Sequence, residues 1–90
     1  MFFVYILLSV KDERTYVGYT KNFDKRFQEH QSGKVKSTKH RRPFVLLFKE
    51  EFESSAEARK RELWWKSSNG RRKLSEYFDN RLKNIFNTTL

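Results

Sequence analysis

The chain has 90 residues, and its 20 lysines and arginines outnumber 11 acidic residues to give a formal net charge of +9. This length provides one domain, and the positive charge attracts polyanions, so nucleic acid is the first partner to consider. The sequence contains no cysteine and two histidines. Disulfides, thiolate nucleophiles and cysteine-bound zinc are therefore excluded, and a metal ion would need carboxylate ligands.

The apolar run at residues 2–8 has aromatic and β-branched residues at both odd and even positions. This pattern is typical of a central strand that is covered on both faces. The run is too short to span a membrane and lacks the features of a signal peptide, so we expect a cytoplasmic protein without membrane association. Residues 15–20 have strand propensity again, and the charged turn at 11–14 predicts a β-hairpin.

A helix is predicted from Phe23 to about Gln31, with Asn22 as its N-terminal cap and Gly33 as its end. The following segment, residues 34–42, contains five lysines and arginines and no acidic residue. Its composition predicts a loop.

A third strand is predicted at residues 44–52, where apolar residues give way to a half-exposed pattern. The sequence Ser-Ser-Ala-Glu at 54–57 matches a capping box and predicts a second helix from about Ser55 to Lys66. We expect the Ser-Ser-Asn-Gly segment at 67–70 to end this helix.

Helical spacing of apolar residues resumes at Arg71 and predicts one helix bent near 79–80, or two short helices. We therefore expect one domain over residues 1–86 and a frayed tail at 87–90. The order β-β-α-β-α-α predicts an α+β fold, in which helices pack on a small antiparallel sheet.

Two tyrosines fall on the predicted hairpin. A hairpin loop of two or four residues places Tyr5 and Tyr16 on the same face of the sheet, and a two-residue loop at 12–13 would leave them about 13 Å apart. Strand statistics favour two core residues whose hydroxyls reach the rim, and a catalytic pair is the alternative. Gly18 weakens its strand, which predicts a bulge or the close approach of another group, such as a phosphate.

Arg26 and His30 are four residues apart on the first predicted helix and so share a face. Arginine binds phosphate through two hydrogen bonds and histidine exchanges a proton near neutral pH, although this pair also occurs on ordinary helix surfaces. On the second helix, Glu62 falls on the stripe that packs against the sheet, where a carboxylate needs a partner. Both Lys66, four residues later, and a divalent cation are candidates.

The two basic segments, residues 34–42 and 71–73, carry cationic side chains of one sign. We predict that they contact the phosphates of a nucleic acid, with a solubilising surface as the alternative. The predicted contacts are Lys34, Lys36, Lys39, Arg41, Arg42, Lys66, Arg71, Arg72 and Lys73.

Taken together, Val4-Tyr5, Tyr16-Val-Gly18, Arg26-x-x-x-His30 and Glu62-x-x-x-Lys66 resemble the GIY-YIG nuclease superfamily. The resemblance covers roughly residues 2–73 and is to small stand-alone bacterial members and to the N-terminal nuclease domain of the excision-repair incision subunit. It implies a three-stranded antiparallel sheet flanked by helices. It also implies metal-dependent hydrolysis of DNA phosphodiester bonds with low sequence specificity, in DNA repair or in the processing of branched or single-stranded DNA.

The resemblance implies a role for each matching residue. Tyr5 would be the general base for water, Arg26 would bind the phosphate, and Glu62 would bind Mg²⁺ or Mn²⁺. The catalytic set would also include Tyr16 and His30, with Gly18 as a point of close backbone approach.

The sequence departs from the family pattern at two positions. Phe3 stands where the glycine of the family name would be, and Tyr19 stands where some relatives carry a lysine that lowers the tyrosine pKa. An ordinary phenol titrates near 10, so Tyr5 needs nearby cations to act as a base at pH 7. Arg26, the metal ion or a lysine of the basic segments would supply them.

Two other functions use the same charge. A nucleic-acid-binding module with this fold would bind DNA or RNA without turnover, and a structural subunit of a ribonucleoprotein would give Glu62 no role. A bound divalent ion and metal-dependent cleavage distinguish the nuclease from both.

Overall fold

The computed structural model describes residues 1–77. The predictions for residues 78–90, which include the bend near 79–80 and the frayed tail, lie outside the described residues. The helix that follows the last named element begins at residue 68, continues to residue 77 and is called α3. The other elements are β1 (Phe2–Ser9), β2 (Thr15–Thr20), α1 (Phe23–Ser32), a 3₁₀ turn (Lys39–Arg41), β3 (Phe44–Phe52) and α2 (Ser55–Lys66).

The three strands form one antiparallel sheet in the order β2-β1-β3, which confirms the predicted α+β fold. The central strand β1 is buried on both faces, as its continuous apolar pattern predicts. Val4 and Ile6 pack with Ala58 and Trp65 of α2, and with Leu74 of α3.

The opposite face of β1 packs against α1. Tyr5 and Leu7 cluster there with Phe23 of α1 and Phe44 of β3. The sheet therefore lies between α1 on one side and the α2–α3 pair on the other. Within the described part of the chain, no helix is both long and apolar enough to cross a membrane.

The β1–β2 hairpin has a four-residue loop, residues 10–13, closed by a 2.9 Å hydrogen bond from the Ser9 N–H to the Arg14 carbonyl. In this register Tyr16 lies opposite Leu7. Tyr5 and Tyr16 are therefore on the same face, and their ring centroids are 6.3 Å apart. This is half the separation that the two-residue loop would give, because the longer loop shifts β2 by two positions.

Helix α1 begins and ends as predicted. The Asn22 side chain accepts a hydrogen bond from the Lys25 N–H, and Gly33 adopts φ 82°, the left-handed conformation that suits glycine at a helix end. The segment after Gly33 is a loop, but Val35 and Thr38 are buried within it. The loop is therefore packed against the domain rather than fully solvated.

The connection between α2 and α3 is shorter than predicted. Helix α2 ends at Lys66 as predicted, but only Ser67 separates the helices. The expectation that residues 67–70 form the connection and that the next helix starts at Arg71 is wrong. The Ser67 N–H donates to the Trp64 carbonyl, and its Oγ accepts from the Gly70 N–H at 3.3 Å, so one residue closes α2 and caps α3. Gly70 is a site of close helix packing instead of a helix end.

Gly70→Ala tests this packing. A Cβ at Gly70 would lie 2.2 Å from the Trp64 carbonyl oxygen and 2.5 Å from the Trp65 Cα, both backbone atoms that cannot move aside cheaply. We expect the substitution to lower the free energy of unfolding by about 1 to 3 kcal/mol, although alanine is the better helix former. Urea denaturation measures this change, and Ser68→Ala at an exposed position of α3 is the control. Equal stability of Gly70→Ala and wild type would contradict this arrangement of the two helices.

Candidate functional site

The Tyr5 ring lies across the backbone of Gly18, its partner on β2. A Cβ at Gly18 would come within 2.2 Å of the Tyr5 Cζ and 2.3 Å of its hydroxyl oxygen. The group that approaches the Gly18 backbone closely is therefore the Tyr5 ring. Glycine at this position lets the ring lean over the neighbouring strand instead of standing away from the sheet.

The Tyr5 hydroxyl is hydrogen-bonded to His30 within the protein. The distance from Tyr5 Oη to His30 Nε2 is 2.9 Å, and the other ring nitrogen, Nδ1, is 2.9 Å from the Thr38 Oγ1. Tyr5, His30 and Thr38 are almost completely buried. The Tyr16 ring packs edge-on against His30, with centroids 5.0 Å apart. The predicted tyrosine pair and the predicted histidine thus form one cluster.

Burial sets the protonation state of this cluster at neutral pH. Loss of solvation, with the nearby Tyr16, raises the pKa of Tyr5 to about 12, and a hydrogen bond from Arg26, together with its positive charge, offsets only part of this. Loss of solvation and the Arg26 charge lower the pKa of His30 to about 4. Tyr5 is therefore a protonated phenol and His30 a neutral imidazole at pH 7.

Arg26 lies one turn before His30 on α1, as the spacing predicts, and acts electrostatically on both Tyr5 and His30. Its guanidinium is 3.5 Å from the Glu29 carboxylate, and both side chains are about one-third exposed. Exposed ion pairs of this kind are weak, so the bond to Glu29 can be lost at little cost.

The two positions that depart from the family pattern lie on opposite faces of the sheet. Phe3 packs on the Tyr5 side, whereas Tyr19 packs on the α2 side, where it stacks on Phe2. The Arg59 guanidinium lies over the Tyr19 ring, 5.6 Å from its centroid. Tyr19 thus belongs to the α2 packing and not to the tyrosine–histidine cluster.

Glu62 lies on the buried side of α2 with Ala58 and Trp65, as predicted from the helical stripe. Its carboxylate is bonded to two cations, Arg59 Nη1 at 3.0 Å and Lys66 Nζ at 3.2 Å. The negative charge of Glu62 also contributes, as the smallest cause, to the raised pKa of Tyr5. Glu62 therefore has a small effect on Tyr5 from the opposite side of the sheet.

The residues around Glu62 suit a metal ion that takes only one or two ligands from the protein. Within residues 1–77, no three histidine, aspartate or glutamate side chains come together as a metal cluster. Magnesium is commonly held through one or two carboxylates, with water and substrate phosphates completing its shell. Glu62 is a single buried carboxylate and would be one ligand of such an ion, provided that Arg59 and Lys66 give way.

Some cations of the first basic segment hold the loop in place. Arg41 Nε donates to Asp12 Oδ2 at 2.6 Å, and its Nη2 donates to the carbonyls of Arg14 and Thr15. The bond to Arg41 holds the pKa of Asp12 well below its usual range. Arg42 donates to the Lys39 carbonyl at 2.9 Å. These two arginines have intramolecular roles that their sequence context did not reveal.

The other predicted contacts are open to a ligand. Lys34, Lys36 and Lys39 are exposed, and so are the three cations at 71–73. An open groove of about 810 Å³ runs between the hairpin loop, the end of α2 and α3, and its lining includes Tyr16, Lys66 and Arg71. The groove therefore runs from Tyr16 to Arg71 of the second basic segment.

Two residues of the site were not predicted from the sequence. Arg59 precedes Glu62 by three residues, and this spacing places the two side chains next to each other on a helix. The sequence-based prediction names only Lys66, four residues after Glu62, as the cationic partner. Thr38 contacts His30 only because the loop folds back on α1, and no local pattern in the sequence indicates that contact.

Comparison with known proteins agrees with the geometry. A family model described as the GIY-YIG catalytic domain matches residues 1–83. A UPF0213 protein of Staphylococcus haemolyticus is 44% identical over 73 residues, which cover 80% of this chain and 88% of that protein. The UPF0213 protein YazA of Bacillus subtilis is 39% identical over 70 residues, covering 77% of this chain and 71% of that protein. The solution NMR structure of a UPF0213 protein from Bacillus halodurans is 38% identical, with a TM-score of 0.52, and covers 86% of this chain and 85% of that chain.

The depressed pKa of His30 predicts acid sensitivity. The unfolded histidine titrates near 6.5 and the folded one near 4, so the unfolded chain binds the proton first as the pH falls. The contribution of His30 is fully present above pH 6.5, and we expect it to fall by about 2 to 3 kcal/mol between pH 7 and pH 4. Urea denaturation of wild type and His30→Gln across this range measures it, with His40→Gln as the exposed control. Equal acid sensitivity of wild type and His30→Gln would contradict a neutral buried His30.

Proposed function

Because this chain belongs to the GIY-YIG catalytic domain family, we propose that it is a metal-dependent endonuclease that hydrolyses DNA phosphodiester bonds. The observation that carries the proposal is the convergence of the candidate residues. Tyr5 from β1 and His30 from α1 share a hydrogen bond although 25 residues separate them in sequence, and the Tyr16 ring packs against His30. The charges of Arg26 on α1 and, more weakly, of Glu62 on α2 act on the pKa of Tyr5.

Tyr5 and His30 divide the proton transfer in this proposal. The Tyr5 oxygen accepts a proton from the attacking water while its own proton passes to His30 Nε2, 2.9 Å away. This arrangement does not need a phenolate in the resting protein, where the pKa of Tyr5 is about 12. It explains how a buried tyrosine without an adjacent lysine acts as a base.

Substrate binding would make His30 a better proton acceptor. The positive charge of Arg26 contributes to the lowered pKa of His30 in the resting protein. When Arg26 binds a phosphate, the negative charge of the phosphate offsets that effect, so the pKa of His30 rises toward its ordinary value. Arg26 also stabilises the charge that develops on the phosphate oxygens.

Glu62 would hold a Mg²⁺ or Mn²⁺ ion at the edge of this cluster. Such an ion, when bound, polarises the phosphate and stabilises the leaving oxygen. Its binding requires Glu62 to release Arg59 and Lys66, which are both well exposed and so can move into solvent. Lys66 lines the groove, and once released it is available to a DNA phosphate.

Contacts to phosphates bind DNA but carry no sequence information, so we propose low sequence specificity. The exposed cations of the basic segments would supply most of the affinity. A nuclease of this kind would select its substrates by structure, such as the branched or single-stranded DNA that arises in repair.

A non-catalytic nucleic-acid-binding module is the second candidate. The observation that favours it is the double pairing of Glu62, because two cations occupy the carboxylate that a metal ion would need. The fold and the basic segments serve DNA or RNA binding equally well in that case. Metal-dependent cleavage distinguishes the two candidates.

Glu62→Gln tests the nuclease. We expect wild type to nick supercoiled plasmid with Mg²⁺ or Mn²⁺ but not with EDTA, and Glu62→Gln to lower the nicking rate at least about 100-fold. The free energy of unfolding should change by no more than about 1 kcal/mol, since the two ion pairs that the substitution removes have exposed partners. Glu57→Gln, at an exposed position of the same helix, is the control and should nick like wild type.

Two results would contradict this prediction. Equal nicking by wild type and Glu62→Gln would remove Glu62 from the mechanism. No nicking by wild type on plasmid, single-stranded and branched DNA would favour the binding module.

The salt dependence of binding tests the first basic segment. Lys34, Lys36 and Lys39 are exposed, and within the described part of the chain their side chains form no ion pair. Changing all three to glutamine should reduce the slope of log K against log salt concentration by about 2 to 3, because each lysine–phosphate pair contributes roughly 0.7 to 0.9 to that slope. Fluorescence anisotropy with labelled DNA measures the slope. Lys60→Gln, on the exposed side of α2, is the control, and an unchanged slope in the triple variant would identify a solubilising surface.

A further inference from the structure

Both nitrogens of the His30 ring face a hydroxyl group. Tyr5 Oη lies 2.9 Å from Nε2 and Thr38 Oγ1 lies 2.9 Å from Nδ1, and the ring itself is fully buried. A neutral imidazole has one N–H donor and one acceptor nitrogen, so one hydroxyl must receive a hydrogen bond and the other must give one. The positions of the neighbouring acceptors determine which hydroxyl accepts from His30 and which donates to it.

The Thr38 hydroxyl has a second neighbour that can only accept. Its Oγ1 is 3.4 Å from the Val35 carbonyl oxygen, to which it donates. A hydroxyl has one hydrogen, so when Thr38 donates to this carbonyl it accepts from the Nδ1–H of His30, and both contacts are satisfied. Nε2 is then the acceptor nitrogen, and it receives the hydrogen of Tyr5.

The opposite arrangement leaves a buried hydrogen without a partner. If Nε2 carried the proton, Tyr5 Oη would accept from His30, and its own hydrogen would need another acceptor. Within residues 1–77, His30 is the only hydrogen-bond partner of that hydroxyl that could accept, because Arg26 has donors alone. A buried donor without an acceptor is costly, so the first arrangement is favoured.

We propose that Thr38 is a positioning residue, whose hydroxyl fixes His30 in the tautomer protonated at Nδ1 and thereby makes Tyr5 the donor to Nε2. The resulting chain of donors runs from Tyr5 to His30, from His30 to Thr38, and from Thr38 to the Val35 carbonyl. The significance for catalysis rests on the proposed function, whereas the tautomer itself does not.

This tautomer makes Tyr5 the hydrogen-bond donor to His30, which is the direction that the proposed reaction needs. The Tyr5 oxygen has two lone pairs, so beside the bond from Arg26 it keeps one to accept a proton from water, and its hydrogen already points at Nε2. As the water proton transfers to the Tyr5 oxygen, the Tyr5 proton transfers to Nε2, so that hydroxide adds to phosphorus and His30 becomes an imidazolium. The bond from phosphorus to the leaving ester oxygen breaks as the new bond forms, and the leaving oxygen takes a proton from solvent water. The opposite tautomer blocks this transfer, because its Nε2 already carries a proton.

The position of Thr38 connects the first basic segment with this proton path. Thr38 precedes the 3₁₀ turn, which Arg41 fastens to the hairpin loop through Asp12. Val35 is also buried, so the carbonyl that receives the Thr38 hydrogen is held by the packed part of the loop. The loop that carries exposed lysines on its outside therefore supplies the histidine partner on its inside.

The tautomer can be measured directly in the protein. Long-range ¹H–¹⁵N correlation spectra at pH 7 distinguish protonated from unprotonated ring nitrogens, and His40→Gln assigns the signals because the chain has two histidines. We expect His30 to be protonated at Nδ1 in wild type. Protonation at Nε2 in wild type would overturn the proposal without the need for any variant.

Variants at Thr38 test whether its hydroxyl determines the tautomer of His30. Thr38→Val keeps the shape and removes the hydroxyl, so His30 should shift toward the Nε2-protonated form, whereas Thr38→Ser should retain the wild-type tautomer. Ser37→Ala, which removes an exposed hydroxyl from the same loop, is the control and should change nothing. An unchanged His30 tautomer in folded Thr38→Val would overturn the proposal, and if that variant does not fold, the wild-type spectrum still decides.

Plasmid nicking separates this inference from the proposed function. Thr38→Val should nick at least about tenfold more slowly than wild type, with metal-free DNA affinity unchanged within about twofold and with most activity restored in Thr38→Ser. If wild type shows the expected tautomer but does not nick, the proposed function fails and the tautomer assignment stands. If Thr38→Val nicks at the wild-type rate, the positioning role fails and the nuclease stands.

Discussion

The pairing of Tyr5 with Gly18 is the constraint on which the site depends. The Tyr5 ring can lie over β2 only because its partner has no side chain, and in that position its hydroxyl reaches His30 on α1. A slip of one residue between β1 and β2 would turn Tyr16 to the other face and place a side chain against the ring. The four-residue hairpin loop, which sets this register, is therefore as important to the site as the residues that form it.

The central strand joins two surfaces with different tasks. Its α1 side holds the polar cluster of Tyr5 and His30, and its α2 side forms an apolar core around Ala58 and Trp65. Glu62 belongs to the second surface by position but affects the pKa of Tyr5 on the first. The charge of a carboxylate on one face of the sheet thus acts weakly on a phenol on the other while most of both faces remains packed.

Positive charge has one structural use in this chain and one that we propose, the binding of DNA phosphates. Arg41 and Arg42 stabilise the loop through bonds to Asp12 and to backbone carbonyls, so part of the charge that suggested nucleic-acid binding is structural. Lys34, Lys36 and Lys39 remain exposed on the same loop. Arginine suits the first use because its planar group makes several directed hydrogen bonds, and lysine suits the second as a mobile point charge.

The sequence alone determined the α+β order, the bounds of β3, α1 and α2, and the burial of Glu62, because strand patterns, helix caps and helical stripes are local signals. It also named Tyr5, Tyr16, Arg26 and His30, which the tertiary structure brings together. The hairpin register, the tight Ser67 connection and the contact between Thr38 and His30 were decided only in three dimensions. Each depends on how distant segments pack, and a glycine such as Gly70 looks the same in sequence whether it ends a helix or admits a neighbouring one.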